Sequence, residues 1–175
     1  MLWVDYVENI DDSHPMTTAK KHIKMICDVI SDKAIDMVEF GSYYGYSTAA
    51  FALASPMSNI ISVDLSDHIS EQNRVNLWNS LNIKNIIPYT TSTQRFLQDN
   101  KKHYDVIFHD AAHGKAALGE YFECAKITNC LIIHDFEQLD TISQNSIKNL
   151  FSNIIEDYDN KGRCLLIAQN IEELL

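Results

Sequence analysis

Short apolar runs alternate with stretches of helical periodicity along most of the chain. Residues 34–41, AIDMVEFG, form a brief apolar run stopped by Gly41, and that length and ending suit a buried strand better than a helix. STAAFALAS follows, rich in good helix formers and ended by Pro56. NIISVDL predicts a second strand, and Ile69, Val75, Trp78 and Leu81 mark one face of a helix running from Asp67 to Leu81. NIIPYT predicts a third strand although Pro88 removes a ladder donor, and TSTQRFLQDN a short helix capped by Thr91 or Ser92. YDVIFHD and GKAALGEYFECAK read as a fourth strand and its helix, NCLIIHD and TISQNSIKNLFSNI as a fifth. GRCLLIAQ closes the series as a strand, with residues 154–158 a candidate for one more before it. A helix over residues 17–30 precedes the first strand and is expected to pack on one face.

Strands alternating with helices at this spacing imply crossover connections and a doubly wound, mostly parallel α/β sheet with helices on both faces. At 175 residues, with no linker or repeat, the expectation is a single domain over 1–175, a leading helical segment at 1–34 and the α/β core at 35–175. A net charge of −10 repels phosphate backbones and anionic membrane surfaces, which argues against a nucleic-acid or membrane partner. No run approaches the roughly 18 to 20 apolar residues of a membrane span. The amino terminus, MLWVDYVENIDDSH, is acidic where a secretory signal is basic, so a cytoplasmic location is expected. Cys27, Cys124, Cys130 and Cys164 are scattered without a Cys-x-x-Cys pair and read as reduced thiols.

In a doubly wound sheet, ligands bind beyond the carboxyl ends of the strands. The polar residues of chemical interest gather in five places there: Glu39 to Ser47, Asp64, Thr90 to Thr93, Asp110 to His113, and His134 to Phe136. After the first strand, Glu39 is followed by a turn with Gly41 and Gly45 and then a helix, whose amino terminus favours an anionic group while the acid favours an ammonium. A ligand carrying both is an amino acid. Asp64 ends the second strand, where an acid in such folds accepts hydrogen bonds from ribose hydroxyls. A nucleoside with an amino-acid tail fits both places.

The segment VEFGSYYGYSTAAFA resembles the first motif of class I S-adenosylmethionine-dependent methyltransferases, in particular the catechol O-methyltransferase-like branch with its acid-x-Gly-small-Tyr-x-Gly-Tyr-Ser pattern. SVDLS and FHDAAHGKAALGEYFE are similar to later segments of the same group, and the likeness spans roughly residues 35–136. The resemblance implies a Rossmann-like methyltransferase fold and S-adenosylmethionine as cofactor. It would have Glu39, Gly41, Ser42, Tyr43, Gly45 and Ser47 hold the methionine part, Asp64 the ribose, and Thr91 and Ser92, with Thr93, lie by the adenine. Asp110 would sit beside the methyl-bearing end, with His113 where the family keeps a lysine base three residues on. Imidazole can take a hydroxyl proton near neutral pH, so the role survives that replacement.

Asp110 and His113 are thus the candidate catalytic pair for methylation of a small hydroxylated acceptor. His109 alternates with Asp110 and is expected to face the other side of the sheet, and His134 is open between a structural and a chemical role. Asp110 and Asp135 are where metal-dependent members bind Mg²⁺, but Phe136 stands where those members have Asn and cannot coordinate, so the reading favours catalysis with no obligatory metal. The acceptor pocket would be open, completed by a second subunit of a homodimer, or formed by the leading segment with Trp3 and Tyr6. Two other functions compete with this one: a non-catalytic S-adenosylmethionine-binding or assembly module on the same fold, and an NAD-dependent oxidoreductase. The latter calls for Gly-x-Gly-x-x-Gly, where this chain has tyrosines at 43 and 46.

Overall fold

A computed structural model describes residues 1–14, 16–65 and 69–170. The strands are β1 (Asp36–Phe40), β2 (Asn59–Asp64), β3 (Ile86–Thr90), β4 (Tyr104–His109), β5 (Thr128–His134), β6 (Asn153–Tyr158) and β7 (Cys164–Gln169). They form one sheet in the order β3-β2-β1-β4-β5-β7-β6, with β1 to β5 parallel and β7 antiparallel to both its neighbours. The chain builds outward from β1 to β3 and then restarts on the other side of β1 with β4, so the order reverses between β1 and β4. Ligands of such sheets bind above that point.

The helices are α1 (Trp3–Glu8), α2 (Lys20–Ile30), α3 (Tyr46–Ala54), α4 (Glu71–Ser80), α5 (Thr93–Asp99), α6 (Leu118–Ala125) and α7 (Thr141–Lys148). Along β1, Met37 faces a core shared with Ile23 of α2 and Phe51 of α3, while Val38 and Phe40 face Phe96 of α5 and Tyr121 of α6. Successive residues of the central strands are therefore buried on opposite sides, which is why they read as runs and not as alternation. Among the described residues no helix is long and apolar enough to cross a membrane, and the four cysteines are unpaired and buried.

Several boundaries differ from those expected from the sequence. The leading helix starts at Lys20, because Thr17 and Thr18 are drawn off to partners at the ends of strands: Arg163 donates to the Thr17 carbonyl and the Thr18 hydroxyl to Asp110. An additional helix, α1, precedes it and packs on α2 and α3 through Tyr6 and Val7. α4 is capped by the Ser70 side chain, and the expected start at Asp67 lies outside the described residues. The helix after β4 divides into a 3₁₀ turn, Gly114–Ala117, and α6. α7 stops at Lys148 because the chain from Asn153 is taken up by pairing with β7. Pro88 is accommodated because β3 is an edge strand.

Candidate functional site

The turn after β1 is shaped by contacts with the rest of the protein. Gly41 has φ +88°, and a Cβ there would lie 2.5 Å from the Asp110 carbonyl oxygen. Only a glycine lets the β1 and β4 ends approach so closely. Gly45 has φ +81° and abuts the indole of Trp78, whose Nε1–H donates to the Gly45 carbonyl at 3.0 Å. Between the glycines, Tyr43 is held at φ +45°. Its backbone N–H donates to Asp64 Oδ2 at 2.7 Å, so the acid at the end of β2 ties down the turn after β1. Behind Asp64 the buried Arg74 brings Nη1 to 3.6 Å from Oδ1.

Glu39 does not reach a cavity wall. It is 0% exposed, and its two carboxylate oxygens accept from the hydroxyls of Ser47 and Thr48 in the first turn of α3. Strand parity turns Glu39 under α3, on the side of Met37, where these hydroxyls are its partners. Burial raises its pKa from 4.5 to about 7, against the two hydroxyl donors that lower it.

Gly41, Tyr43, Asp64, Thr91, Ser92 and Asp110 line one cavity of about 430 Å³, a size suited to a nucleoside-sized ligand. Asp64 is at its β2 wall, and Thr91 and Ser92 are at the head of α5, where Ser92 also caps the helix. A second, much smaller space of about 20 Å³ lies against Gly41, Ser42, Ser47 and Asp110 under residues 16–18. That is room for about one water. Met16 lines both spaces, whereas Tyr6 is core and Trp3 packs against it, so the leading segment contributes to the site through its loop and not through the aromatic residues expected. His14 stacks on the Tyr43 ring at 5.8 Å between centroids, which lays the loop over the turn.

At the ends of β4 and β5 lies a buried titratable cluster. Asp110 Oδ2 accepts from the Thr18 hydroxyl at 2.7 Å and Oδ1 lies 2.9 Å from His134 Nδ1. The same Nδ1 is 3.3 Å from Asp135 Oδ1. Burial favours neutral Asp110, but the imidazole and the Thr18 donor outweigh it and hold its pKa below the ordinary value. Burial opposes charge on His134 as well, yet Asp110 and then Asp135 raise its pKa. Asp135 itself is shifted upward, by burial first and by Asp110. His113 stands at the open side of the cluster, its side chain 27% exposed, with Nε2 4.0 Å from Asp110 Oδ1 and Nδ1 3.9 Å from Asp135 Oδ2. His109 faces the opposite side of the sheet, buried against Tyr121, with Nε2 3.0 Å from Glu120. Phe136 is buried in the core beside β5. Among the described residues, no three His, Cys, Asp or Glu side chains are arranged to hold a metal ion.

Several residues of this site did not stand out in the sequence. Arg74 and Trp78, on α4, brace Asp64 and Gly45; Thr18 binds Asp110; Glu120 closes the far wall of the larger cavity. Trp78 was marked only as part of the packed face of its helix, and Arg74 carried the signal of a charge set one helical turn before it.

A family model described as a methyltransferase domain matches residues 38–135, which run from β1 to the Asp at the end of β5. A search of curated proteins returns no match. Among solved structures, the fold is similar to an O-methyltransferase from Bacillus cereus in complex with SAH, with TM-score 0.70 and 15% identity over 96% of this chain and 90% of that one. It is also similar to the O-methyltransferase TomG from Streptomyces achromogenes in complex with SAM, with TM-score 0.67 and 13% identity over 89% and 82%. An rRNA methylase from Streptococcus thermophilus has TM-score 0.58 and 11% identity over 92% and 99%.

Proposed function

The chain belongs to the methyltransferase-domain family, whose members take their methyl group from S-adenosylmethionine, and on that premise we propose that it methylates a hydroxyl of a small acceptor bound beside Asp110 and His113. The observation that carries this reading is the cavity of about 430 Å³ that joins the glycine turn, Asp64, the head of α5 and Asp110. Its chemistry fits the cofactor: an acid for the diol, hydroxyls beside the base, and a carboxylate held ionised near the cationic sulfur. Bound there, S-adenosylmethionine supplies a methyl group already activated by the sulfonium.

The protein's share of the work is then holding, aligning and moving one proton. Asp64, fixed by the Tyr43 N–H and Arg74, presents an oriented carboxylate to the ribose hydroxyls. Gly41 and Tyr43 border the amino-acid end in the larger cavity, with Ser47 and Glu39 acting from beneath by fixing the first turn of α3. His113 is the exposed base of the cluster. Its Nδ1 is buried on the side of Asp135, so Nε2 takes the acceptor's proton as the acceptor oxygen takes the methyl. A divalent cation is not part of this scheme, because Asp110 and Asp135 are bridged by His134 Nδ1. The net charge of −10 supports a small-molecule acceptor over RNA.

Calorimetric titration with S-adenosylhomocysteine tests the cofactor reading. Micromolar binding is expected in the wild type, weakened at least tenfold in Asp64→Ala, since each lost hydrogen bond costs about 1 to 3 kcal/mol. Tight NAD binding with no response to S-adenosylhomocysteine would sink it. A methyl-transfer assay on a panel of phenols, sugars and RNA then separates an O-methyltransferase of small molecules from an RNA enzyme and from an inactive binding module.

A further inference from the structure

The larger cavity has three carboxylates on its walls, and two of them have roles in methyl transfer. Asp64 and Asp110 meet the diol and the sulfonium end; Glu120, from α6, is the third. Its carboxylate is set in place by His109, which is fully buried behind it with Nε2 3.0 Å from Glu120 Oε2. A carboxylate accepts about four hydrogen bonds, so one partner leaves capacity for a ligand, and the Glu120 side chain, 12% exposed, lines this cavity and a neighbouring one bordered by Gln94 and Gly119. His109 ends β4 and Asp110 follows it, the two side chains turning to opposite faces, so Glu120 lies on the α5–α6 side and Asp110 on the side of the leading segment. That is the side on which Thr91 to Gln94 open α5.

We propose that Glu120 reads the exocyclic amine of the cofactor's adenine. The proposal rests on the S-adenosylmethionine reading and names the residue that makes the site selective for adenine over other purines. The other polar side chains of that wall, Thr91, Ser92, Thr93 and Gln94, can each donate as well as accept, and they would serve an amine or a carbonyl equally. An ionised carboxylate only accepts. It satisfies an amino group and repels a carbonyl oxygen in the same place, which is how a buried polar site rejects a near-isosteric ligand. Ala111 and Ala112 put no polar side chain between Asp110 and Glu120, leaving an apolar strip for the purine face.

The test measures the affinities of S-adenosylhomocysteine, S-inosylhomocysteine (carbonyl for amine) and the purine analogue with hydrogen at that position. Each is titrated by calorimetry into the wild-type protein and into Glu120→Gln. The wild type is expected to bind the adenine compound ten- to a hundredfold more tightly than either analogue, the usual worth of a hydrogen bond to a charged group. Glu120→Gln, whose amide can turn its N–H toward a carbonyl, is expected to bring the adenine and inosine compounds within about threefold. Equal wild-type affinity for all three overturns the proposal while leaving the cofactor reading intact, as does a Glu120→Gln variant that discriminates like the wild type. Failure of the wild type to bind any of the three overturns both. Should that variant not fold, equal wild-type affinities still overturn the proposal, and Glu120→Asp, which draws the carboxylate back, is expected to lose most of the preference for the adenine compound.

Discussion

His134 Nδ1 lies 2.9 Å from Asp110 Oδ1, and the same nitrogen is 3.3 Å from Asp135 Oδ1, so one imidazole bridges the acids at the ends of two neighbouring parallel strands. Two carboxylates that would otherwise repel are thereby held on one imidazole, whose pKa they raise against its burial. The arrangement fixes Asp110 as an ionised, oriented group and takes His134 out of contention as the base that meets an acceptor, since its ring is buried. It leaves the partly exposed His113 for that role.

Replacing His113 by Ala is therefore expected to lower kcat by about 10²- to 10⁴-fold, the usual range for a positioned base. Affinity for S-adenosylhomocysteine should stay within about twofold, because His113 does not line the cofactor cavity. Steady-state kinetics beside calorimetry separates the two effects. Unchanged turnover at pH 7 would return His113 to a structural role.

The bridge also bears on metals. With His134 Nδ1 between the two aspartates and Phe136 buried where a third ligand would stand, methyl transfer is expected to survive exhaustive EDTA dialysis without loss. Activity abolished by EDTA and restored by millimolar Mg²⁺ would mean that His134 swings away and that the aspartates bind the cation with several waters.

Two glycines offer a matched pair for stability. Gly41→Ala forces a Cβ to 2.5 Å from the Asp110 carbonyl at a φ of +88°, combining backbone strain with an unrelievable clash. The expected cost is at least about 2 kcal/mol, or roughly 4 to 8 °C in Tm for a domain of this size. Gly119 lies in α6, and a methyl added there would meet nothing within 4 Å, so Gly119→Ala should stabilise by about 0.5 to 1 kcal/mol. Thermal melts of the two variants with opposite signs are the expected result. A Gly41→Ala protein as stable as the wild type would show that the β1 and β4 ends can part.

Much of this architecture was legible in the chain because β1, β2, β4 and β5 are apolar runs too short for helices, each followed by a stretch that reads as a helix. The side on which His109 faces followed from alternation alone. What could not be read were decisions made by distant partners. Thr17 and Thr18 leave the helix pattern for Arg163 and Asp110, and α7 yields its end to the pairing of Ile154 with Ala168. The glycine turn was identified as a ligand loop, yet its glycines answer first to the Asp110 backbone and the Trp78 indole, contacts that cross strands and helices far apart in sequence. Glu39 shows the same limit: an acid at a strand end promises a ligand, but whether it faces the ligand depends on strand parity and on the hydroxyls of α3 waiting beneath.

That burial gives Glu39 a measurable signature. Its pKa rises from 4.5 to about 7 because desolvation penalises the charged form more than Ser47 and Thr48 relieve it. The folded state then holds the proton more tightly than the unfolded chain. The associated stability is full below pH 4.5, declines as pH rises, and is lost above about 7. At about 1.4 kcal/mol per unit, the loss is on the order of 3 kcal/mol, or several degrees in Tm. Glu39→Gln keeps the shape and an acceptor for a hydroxyl while removing the titration. Relative to wild type, the variant is expected to gain stability at pH 8 compared with pH 5, and the difference of differences cancels every other titrating group. If the variant is destabilised equally at both pH values, Glu39 is ionised across the whole range and the two hydroxyls suffice to stabilise its charge.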